Sequence, residues 1–167
     1  MTTAAGELRS LDDADLDEVL ALNQHWVPHV GSLGMDRLRG IRAEAELALV
    51  ATTAAGSLGG FVLVLGPGAA YDSPNYRWFA ERHGRFTYVD RIAVDSATMG
   101  SGVGRRLYEA VADHARAQGS SVVCAEVNTE PPNPDSQAFH ARMGFVEVGR
   151  QWTYGHTVEV QMLEWSL

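Results

Sequence analysis

Lysine is absent from this sequence of 167 residues, so its 13 basic residues are all arginines. A Walker A phosphate-binding loop requires a lysine before its serine or threonine, and P-loop chemistry is therefore excluded. Basic runs are also absent, and 21 acidic residues give a net charge of −8 at pH 7. Because nucleic-acid binding calls for the opposite sign of charge, we expect no nucleic-acid partner.

Cysteine and long apolar segments are scarce too. Cys124 is the single cysteine, and it cannot form an internal disulfide. The longest apolar run, residues 59–65, is far too short to span a bilayer. Residues 1–7 lack the basic and apolar regions of a signal peptide. We therefore expect a soluble cytoplasmic protein that binds no membrane and forms one domain over residues 1–167.

The most informative stretch of the chain combines a strand, a glycine-rich turn and a helix. Residues 86–94 are rich in aromatic and β-branched side chains, which predicts a strand. From Val103 onward, apolar residues recur at every fourth position, which predicts an amphipathic helix that ends at Gly119. The turn between strand and helix contains Gly100, Gly102 and Gly104.

Such a turn is suited to binding an anion. The first N–H groups of a helix have no partner within the helix, and the helix dipole adds partial positive charge there. Glycine lets the backbone approach a ligand closely, and Arg105 and Arg106 add two cations. We interpret the turn as a phosphate-binding loop, with an ordinary tight connection as the alternative. A dinucleotide-binding turn fits less well, because Arg105 occupies the position of its third glycine.

A second strand and a second helix follow. Residues 121–128 form a near-continuous apolar run, which predicts a strand buried on both faces and, with the preceding elements, a parallel βαβ unit. Glu126 lies within this strand, where an acid lowers stability unless it is paired or functional. The next helix is predicted to have Asn133 as its N-cap and to end at Gly144.

The glycine-rich turn resembles the acetyl-coenzyme A signature of the GNAT N-acetyltransferase superfamily. In that signature, Arg/Gln-x-x-Gly-x-Gly/Ala follows a strand and opens a helix. Gly102 and Gly104 match its two glycines, and Gly100 matches a third that is often present. Met99 departs from the pattern, since it stands where the superfamily usually has Arg or Gln.

The second helix is similar to another part of the same superfamily, which reads Asn-x-x-(Ala/Ser)-x-x-x-Tyr-x-x-x-Gly-Phe. Asn133, Ser136, Gly144 and Phe145 match this pattern, and His140 replaces the tyrosine. Two motifs in the right order are far more specific than either alone, and together they cover about residues 86 to 150.

This resemblance implies an α/β (α+β) fold, a single GNAT-like domain with a mixed sheet of six to seven strands. The same expectation includes a central βαβ unit with splayed parallel strands, and helices on both faces of the sheet. The implied co-substrate is acetyl-coenzyme A. The residues that the resemblance assigns to coenzyme binding lie at the strand end, in the turn and on the second helix: Ile92, Ala93, Val94, Met99, Gly100, Ser101, Gly102, Val103, Gly104, Arg105, Asn133, Ser136 and Phe139.

An N-acetyltransferase needs a base for the attacking amine, donors for the oxyanion and a proton for the departing thiolate. We expect Glu126 to be the base, acting through water, as a glutamate here resembles the base of the ribosomal-protein branch. Asp90 on the neighbouring strand is the second candidate. We expect His140 to be the acid, because imidazolium is a better proton donor than a phenol. The structural alternatives are pairing of Glu126 with Arg91 and packing of His140 against Phe145.

The remaining chain predicts helices that start at Asp12 or Asp13, at residue 35 and after Ser73. It also predicts strands over residues 7–11, 47–51, 58–65, 146–150 and 157–165. Segments 23–31 and 71–83 are rich in large polar and aromatic side chains. We expect the first to line an acceptor pocket, as the resemblance implies, and the second to pack its helix against the core, with a second wall of the pocket as the alternative. No metal site is predicted, because Pro28 separates His25 from His29 and no third ligand is evident.

We therefore predict an acyltransferase that moves an acetyl group from acetyl-coenzyme A to a primary amine by direct attack in a ternary complex. The sequence leaves open whether the amine belongs to a small molecule or to a protein or peptide, and whether the chain forms a homodimer. A non-catalytic acyl-coenzyme A binding module is the main alternative, in which Met99 and His140 would mark lost activity. A nucleotide-binding domain of another kind is a weaker one. Cys124 on a buried strand favours a structural role over an acetyl-cysteine intermediate.

Overall fold

The computed structural model describes residues 5–167, which form seven strands and five α-helices. The strands are β1 (Ala5–Ser10), β2 (Leu47–Thr53), β3 (Leu58–Leu65), β4 (Thr87–Val94), β5 (Val122–Glu130), β6 (Val146–Thr153) and β7 (Val158–Ser166). The helices are α1 (Leu16–His25), α2 (Met35–Glu44), α3 (Pro74–Ala80), α4 (Val103–Ala117) and α5 (Pro134–Met143). None of these helices is both long enough and apolar enough to cross a membrane.

All seven strands belong to one mixed sheet, in the order β1-β2-β3-β4-β5-β7-β6. Neighbouring strands are antiparallel except β4 and β5, which are parallel and are connected by α4. The predicted mixed sheet and its central βαβ unit are therefore confirmed.

The two parallel strands separate soon after they begin. Their paired residues are Thr87 with Val123 and Tyr88 with Cys124. Beyond these, β4 stays paired with β3 as far as Val94, while β5 stays paired with β7. The expected splay is confirmed, and it opens a gap in the sheet. Backbone N–H and C=O groups of β4 that face this gap have no neighbouring strand to bond, so they are available to a ligand.

Helices cover both faces of the sheet, as predicted, because apolar residues occupy successive positions on the central strand β3. Val62 and Val64 face the cluster that contains the apolar stripe of α4 and the end of α5. Phe61 and Leu63 face the opposite cluster, which is built from α1 and α2. Since successive side chains of a strand point to opposite faces, this continuous apolar run requires a helix layer on each side.

The ends of the helices follow local chemistry. The Ser73 hydroxyl accepts hydrogen bonds from the first turn of α3, and Pro74 occupies the first helical position. Asn133 caps α5 in the same way, and Gly144 ends it in the left-handed conformation, with a φ of 108°. The predicted helix start after Ser73, the Asn133 cap and the helix end at Gly144 are therefore confirmed.

The start of α1 has a feature that the sequence did not indicate. Asp12, one of the two predicted caps, is the N-cap residue of the helical segment, but the first turn, Asp13–Asp15, is a 3-10 turn and the α-helix begins at Leu16. The Asp15 carboxylate accepts the backbone N–H of Asp12 at 2.8 Å and two hydrogen bonds from Arg9 at the same distance, and these bonds stabilise the tighter turn.

Candidate active site

The glycine-rich turn leaves the N-terminus of α4 open. Gly102 is the N-cap residue, with a φ of 85° and no side-chain cap. A Cβ added there would meet nothing within 4 Å, so the space beside the turn is free. The turn therefore leaves the first N–H groups of α4 for a ligand, and no acidic side chain lies in the first turn to oppose an anion.

The second helix closes one side of this turn. A Cβ on Gly104 would lie 3.0 Å from Cζ of Phe139, so glycine lets α4 and α5 approach closely. The Asn133 side chain accepts from the Ser136 N–H at 3.4 Å, which fixes the start of α5. The residues present thus fit a pyrophosphate-bearing coenzyme: an uncapped helix N-terminus, open space and a close helix wall.

A cleft of about 730 Å³ runs from this turn into the gap between β4 and β5. It brings together almost all the residues that the sequence analysis singled out. Glu126, Asp90 and His140 line it, as do the end of β4, the turn, and Asn133, Ser136 and Phe139 on α5. The exception is Ser101, which is not among the lining residues and whose hydroxyl donates to the Thr98 carbonyl within its own loop.

Glu126 occupies the side of β5 that faces the cleft. Its Oε1 accepts from the Tyr88 hydroxyl at 2.9 Å and from Nδ2 of Asn75 at 3.3 Å. Oε2 is buried and has no hydrogen-bond partner among the described residues. Burial, helped by the nearby charge of Asp90, raises the pKa of Glu126 from 4.5 to about 8, although the bonds from Tyr88 and Asn75 act in the opposite direction. Because Glu126 makes no ion pair with Arg91, the structural alternative for this residue is not supported.

Asp90 already uses both of its carboxylate oxygens in hydrogen bonds. One of its carboxylate oxygens accepts from the Tyr71 hydroxyl, and the other accepts from Nε of Arg91 at 2.8 Å. Arg91 also donates to Oδ1 of Asn23 at 3.0 Å and to the Gly31 carbonyl. Asp90 therefore lies where the sequence analysis placed it, but both of its oxygens are already used, which makes it a poorer base than Glu126.

His140 is buried between the two helices. Its Nδ1 lies 2.8 Å from the Ser136 carbonyl, which can only accept, so Nδ1 carries the proton. Nε2 then accepts from the Tyr108 hydroxyl at 2.6 Å. Burial lowers the pKa of His140, so the neutral ring is favoured. The expected imidazolium acid is therefore disfavoured for a physical reason: the ring is enclosed and already uses both nitrogens.

Comparison with known proteins identifies the family to which this chain belongs. The model of the acetyltransferase (GNAT) family matches residues 23–145, which is most of the chain. The chain belongs to the GNAT acetyltransferase family. The predicted family and its acetyl-coenzyme A co-substrate are thereby confirmed, and the chain is an acyltransferase at the level of this family.

Individual GNAT relatives differ widely in what they are named for. Glucosamine 6-phosphate N-acetyltransferase 1 of Oryza sativa subsp. japonica is 35% identical over 71 residues, which are 42% of this chain and 40% of that protein. Ard1 from Thermoplasma volcanium has the same fold, with a TM-score of 0.78 at 22% identity over 98% of this chain and 99% of that one. The NatC complex bound to Gag peptide and CoA matches with a TM-score of 0.76 at 16% identity, over 100% and 99% of the two chains.

Several residues of this GNAT site were not singled out from the sequence. Tyr88 and Asn75 hold Glu126, and Tyr108 binds His140. From the sequence alone, Tyr88 and Tyr108 count only as aromatic positions of their strand and helix. Their hydroxyl groups were the available signal, because a buried tyrosine usually finds a polar partner.

Both segments considered for the acceptor pocket contribute residues to the cleft. Residues 28–31 line it, and the Pro28 carbonyl accepts from Nδ2 of Asn128 at 3.0 Å. Nε1 of Trp26 donates to the Val94 carbonyl at 2.9 Å, so this segment is tied to the end of β4. The second segment is divided between two roles, since its first part lines the cleft whereas Tyr76 and Phe79 are buried in the core.

One group of side chains in the described structure has metal-ligand geometry: ligand atoms of His83, Cys124 and Glu164 lie within 4.8 Å of one another. His83 and Glu164 already bind each other at 2.5 Å. Burial raises the pKa of the Cys124 thiol, which disfavours the thiolate that a metal or an acetyl-cysteine intermediate would need. The expectation that the reaction uses no metal stays a prediction.

Proposed function

We propose that this protein is an N-acetyltransferase that moves an acetyl group from acetyl-coenzyme A directly to a primary amine in a ternary complex. One observation carries the proposal: Glu126, whose Oε2 is buried without a partner among the described residues, lies on the same cleft as the open N-terminus of α4. A binding module requires the helix N-terminus, but it does not require a carboxyl group with a buried oxygen that lacks a hydrogen-bond partner. Such a group lowers the stability of the fold, and a role as catalytic base explains why it is present.

One part of the cleft binds and orients the coenzyme. In the proposal, the N–H groups at the start of α4 hold the pyrophosphate, with Arg105 adding positive charge. The unpaired edge of β4, at Ile92 to Val94, holds the extended part of the coenzyme and donates N–H groups to the oxyanion. These donors are fixed by the pairing of β4 with β3, so they need no rearrangement during the reaction.

Glu126 acts on the amine. With a pKa of about 8, roughly one molecule in ten carries the carboxylate at pH 7, and the fraction rises with pH. A base with a pKa near the working pH is efficient at taking a proton from an ammonium group. Because Oε2 is enclosed and has no partner in the described structure, we propose that it takes the proton through a water molecule.

The leaving thiolate requires a donor at the other side. The Tyr108 hydroxyl and His140 both line the cleft and bind each other. We propose that rotation of the Tyr108 O–H turns its hydrogen bond from Nε2 of His140 to the departing sulfur. His140, held by the Ser136 carbonyl, then acts as a positioning residue for Tyr108. In this proposal the hydrogen-bond donor to the sulfur is the Tyr108 hydroxyl, not the imidazolium of His140 that the sequence analysis expected.

The test is thiol release from acetyl-coenzyme A over a broad panel of primary amines, including peptide N-termini and small amines. We expect turnover with at least one amine and a loss of about 100-fold or more in Glu126→Gln. Glu109→Gln is the matched control, because Glu109 is an exposed residue of α4, away from the cleft. Coenzyme binding without turnover on any amine, measured by calorimetry, would favour the acyl-coenzyme A binding module instead.

A further inference from the structure

Two amide side chains connect β6, the strand at one edge of the sheet, to Glu126. Nε2 of Gln151 donates to Oδ1 of Asn75 at 2.8 Å, and Nδ2 of Asn75 donates to Oε1 of Glu126 at 3.3 Å. We propose that Gln151 is a positioning residue for the base, because its amide supplies the donor that lets Asn75 present an N–H group to Glu126. This inference rests on the proposed function, in which Glu126 is the base.

The sheet determines where the Gln151 side chain lies. Gln151 is opposite Val160 of β7, and directly opposite residues of an antiparallel pair share one face of the sheet. Val160 is buried in the cluster that contains Tyr76 and Phe79 of α3. The Gln151 side chain therefore faces α3, and Asn75 lies in the first turn of that helix. Asn75 lines the cleft and Gln151 does not, so the described contact of Gln151 with the site is through Asn75.

The backbone of Asn75 is fixed independently of Gln151. Its N–H donates to the Ser73 hydroxyl at 3.2 Å, in the capping arrangement that begins α3. With the backbone fixed, the remaining freedom of this residue is in its side-chain amide, which presents either Nδ2 or Oδ1 to Glu126. When Nδ2 faces Glu126, Oδ1 faces the other way and requires a donor, because Asn75 is only 8% exposed. Gln151 is that donor.

This orientation decides which oxygen of Glu126 carries the proton. Oε1 accepts from Asn75 and also from the Tyr88 hydroxyl at 2.9 Å, so a proton on the carboxyl group belongs on Oε2. Oε2 has no partner among the described residues, and it is the atom assigned above to proton transfer through water. Two hydrogen bonds donated to Oε1 also favour the charged form of the carboxyl group.

Loss of the Gln151 donor removes the reason for this orientation. Oδ1 of Asn75 then lacks its partner, and rotation of the amide places Oδ1 against Oε1 of Glu126. An amide oxygen can only accept, so this arrangement holds the proton on Oε1 and favours the neutral acid. The result is a base that is ionised only at higher pH.

The charges around Glu126 stay in place when these amides are changed, because Gln151 and Asn75 are both uncharged. Met162, the residue of β7 opposite Glu126, is uncharged too. The titratable or charged groups that interact with Glu126 lie on β4, α4 and β5: Tyr88, Asp90, Arg91, Tyr108 and Cys124. A shift in a Gln151 variant therefore reports the hydrogen bonds and not a change of charge.

The experiment measures the pH profile of kcat/KM for thiol release in the wild type and in Gln151→Met, which keeps the length of the side chain and removes its donor. We expect the rising limb to move to higher pH by roughly half a pH unit or more. At pH 7, kcat/KM should fall several-fold, and at high pH it should return to the plateau of the wild type. A loss that is equal at every pH would indicate a structural role and overturn the inference.

Gln161→Met is the matched control. Gln161 lies on the neighbouring strand β7 and is opposite Val127, which is buried on the other face of the sheet. Its amide donates to Oε1 of Glu147 at 3.1 Å, away from Glu126. The pH profile of Gln161→Met should match that of the wild type. An equal shift in both variants would show that the effect is not specific to Gln151 and would overturn the inference.

Asn75→Ala tests whether Gln151 acts through Asn75. Asn75→Ala alone should move the limb in the same direction, and adding Gln151→Met to it should give no further shift, because the two residues form one chain. If Gln151→Met shifts the limb equally with and without Asn75, the inference is wrong.

A titration of the carboxyl group separates this inference from the proposed function. NMR of the isotope-labelled carboxyl carbon of Glu126, assigned with Glu126→Gln, reports its pKa without any acceptor amine. We expect a higher pKa in Gln151→Met than in the wild type. An unchanged pKa would overturn this inference and leave the proposed function intact, whereas a raised pKa without turnover by the wild type on any amine would contradict the proposed function.

Discussion

Glu126 is the residue on which most of the account depends, and its environment explains its chemistry. Burial of the carboxyl group and the nearby charge of Asp90 raise its pKa to about 8, although the hydrogen bonds from Tyr88 and Asn75 act in the opposite direction. One of its oxygens has no partner among the described residues. The sequence placed this acid inside an apolar strand and predicted its importance on that ground alone. It could not predict the partners, because Tyr88 and Asn75 come from distant positions that only the sheet and α3 bring together.

The same pKa predicts a pH dependence of stability. Between about pH 5 and pH 8 the folded protein binds more protons than the unfolded chain, because the pKa of Glu126 is raised from 4.5 to about 8 on folding. The free energy of unfolding should therefore fall as pH rises through this window. Glu126→Gln removes this contribution.

Urea unfolding of the wild type and of Glu126→Gln, at pH 5, 6.5 and 8, measures this effect. As pH rises, we expect the free energy of unfolding of Glu126→Gln to increase steadily relative to that of the wild type. A difference that stays constant with pH would show that the pKa of Glu126 is not raised in the folded protein.

Tyr108 provides a second prediction at this scale. Tyr108→Phe keeps the ring among its aromatic neighbours but removes the hydroxyl that binds His140. We expect kcat to fall by about tenfold or more while coenzyme A affinity stays nearly unchanged, since an oxyanion or thiolate donor acts mainly in the transition state. Parallel losses in kcat and in coenzyme affinity would instead indicate a structural role.

At the scale of elements, the strand-turn-helix unit was the most predictable part of the molecule. Its glycines, its apolar stripe and the caps of α5 are local signals, and the structure follows them. The 3-10 turn that precedes α1 was not predictable, because the contact between Arg9 and Asp15 joins two different elements. The width of the gap between β4 and β5 likewise depends on how each strand pairs with its other neighbour.

Two glycines test the role of the turn. Gly102 has a φ of 85°, so Gly102→Ala should destabilise the protein by about 1 kcal/mol or more and weaken coenzyme A binding. Gly40 lies in the exposed middle of α2 with nothing near its Cβ position, so Gly40→Ala should stabilise the protein by roughly 1 kcal/mol and leave binding unchanged. Thermal unfolding and calorimetry give both quantities. Equal effects of the two substitutions would contradict a special role for the turn.

At the scale of the whole molecule, the described fold is that of the GNAT family, and its active cleft forms where the parallel strands separate. The motifs predicted the family, and the strand and helix patterns together with that resemblance predicted the mixed α/β sheet. The acceptor was beyond both, because its pocket is formed by side chains from several elements that only the fold brings to one cleft. Cytoplasmic location and a homodimer stay predictions.

The most direct test of the central claim is the pH dependence of kcat/KM for thiol release, with the preferred amine, in the wild type and in Glu126→Gln. For the wild type we expect a rate that rises with pH and levels off near pH 8, the pKa of Glu126. For Glu126→Gln, kcat/KM should be lower by about 100-fold and should not rise with pH in this way. If the two proteins give the same profile at similar rates, Glu126 is not the base and the proposed mechanism is wrong.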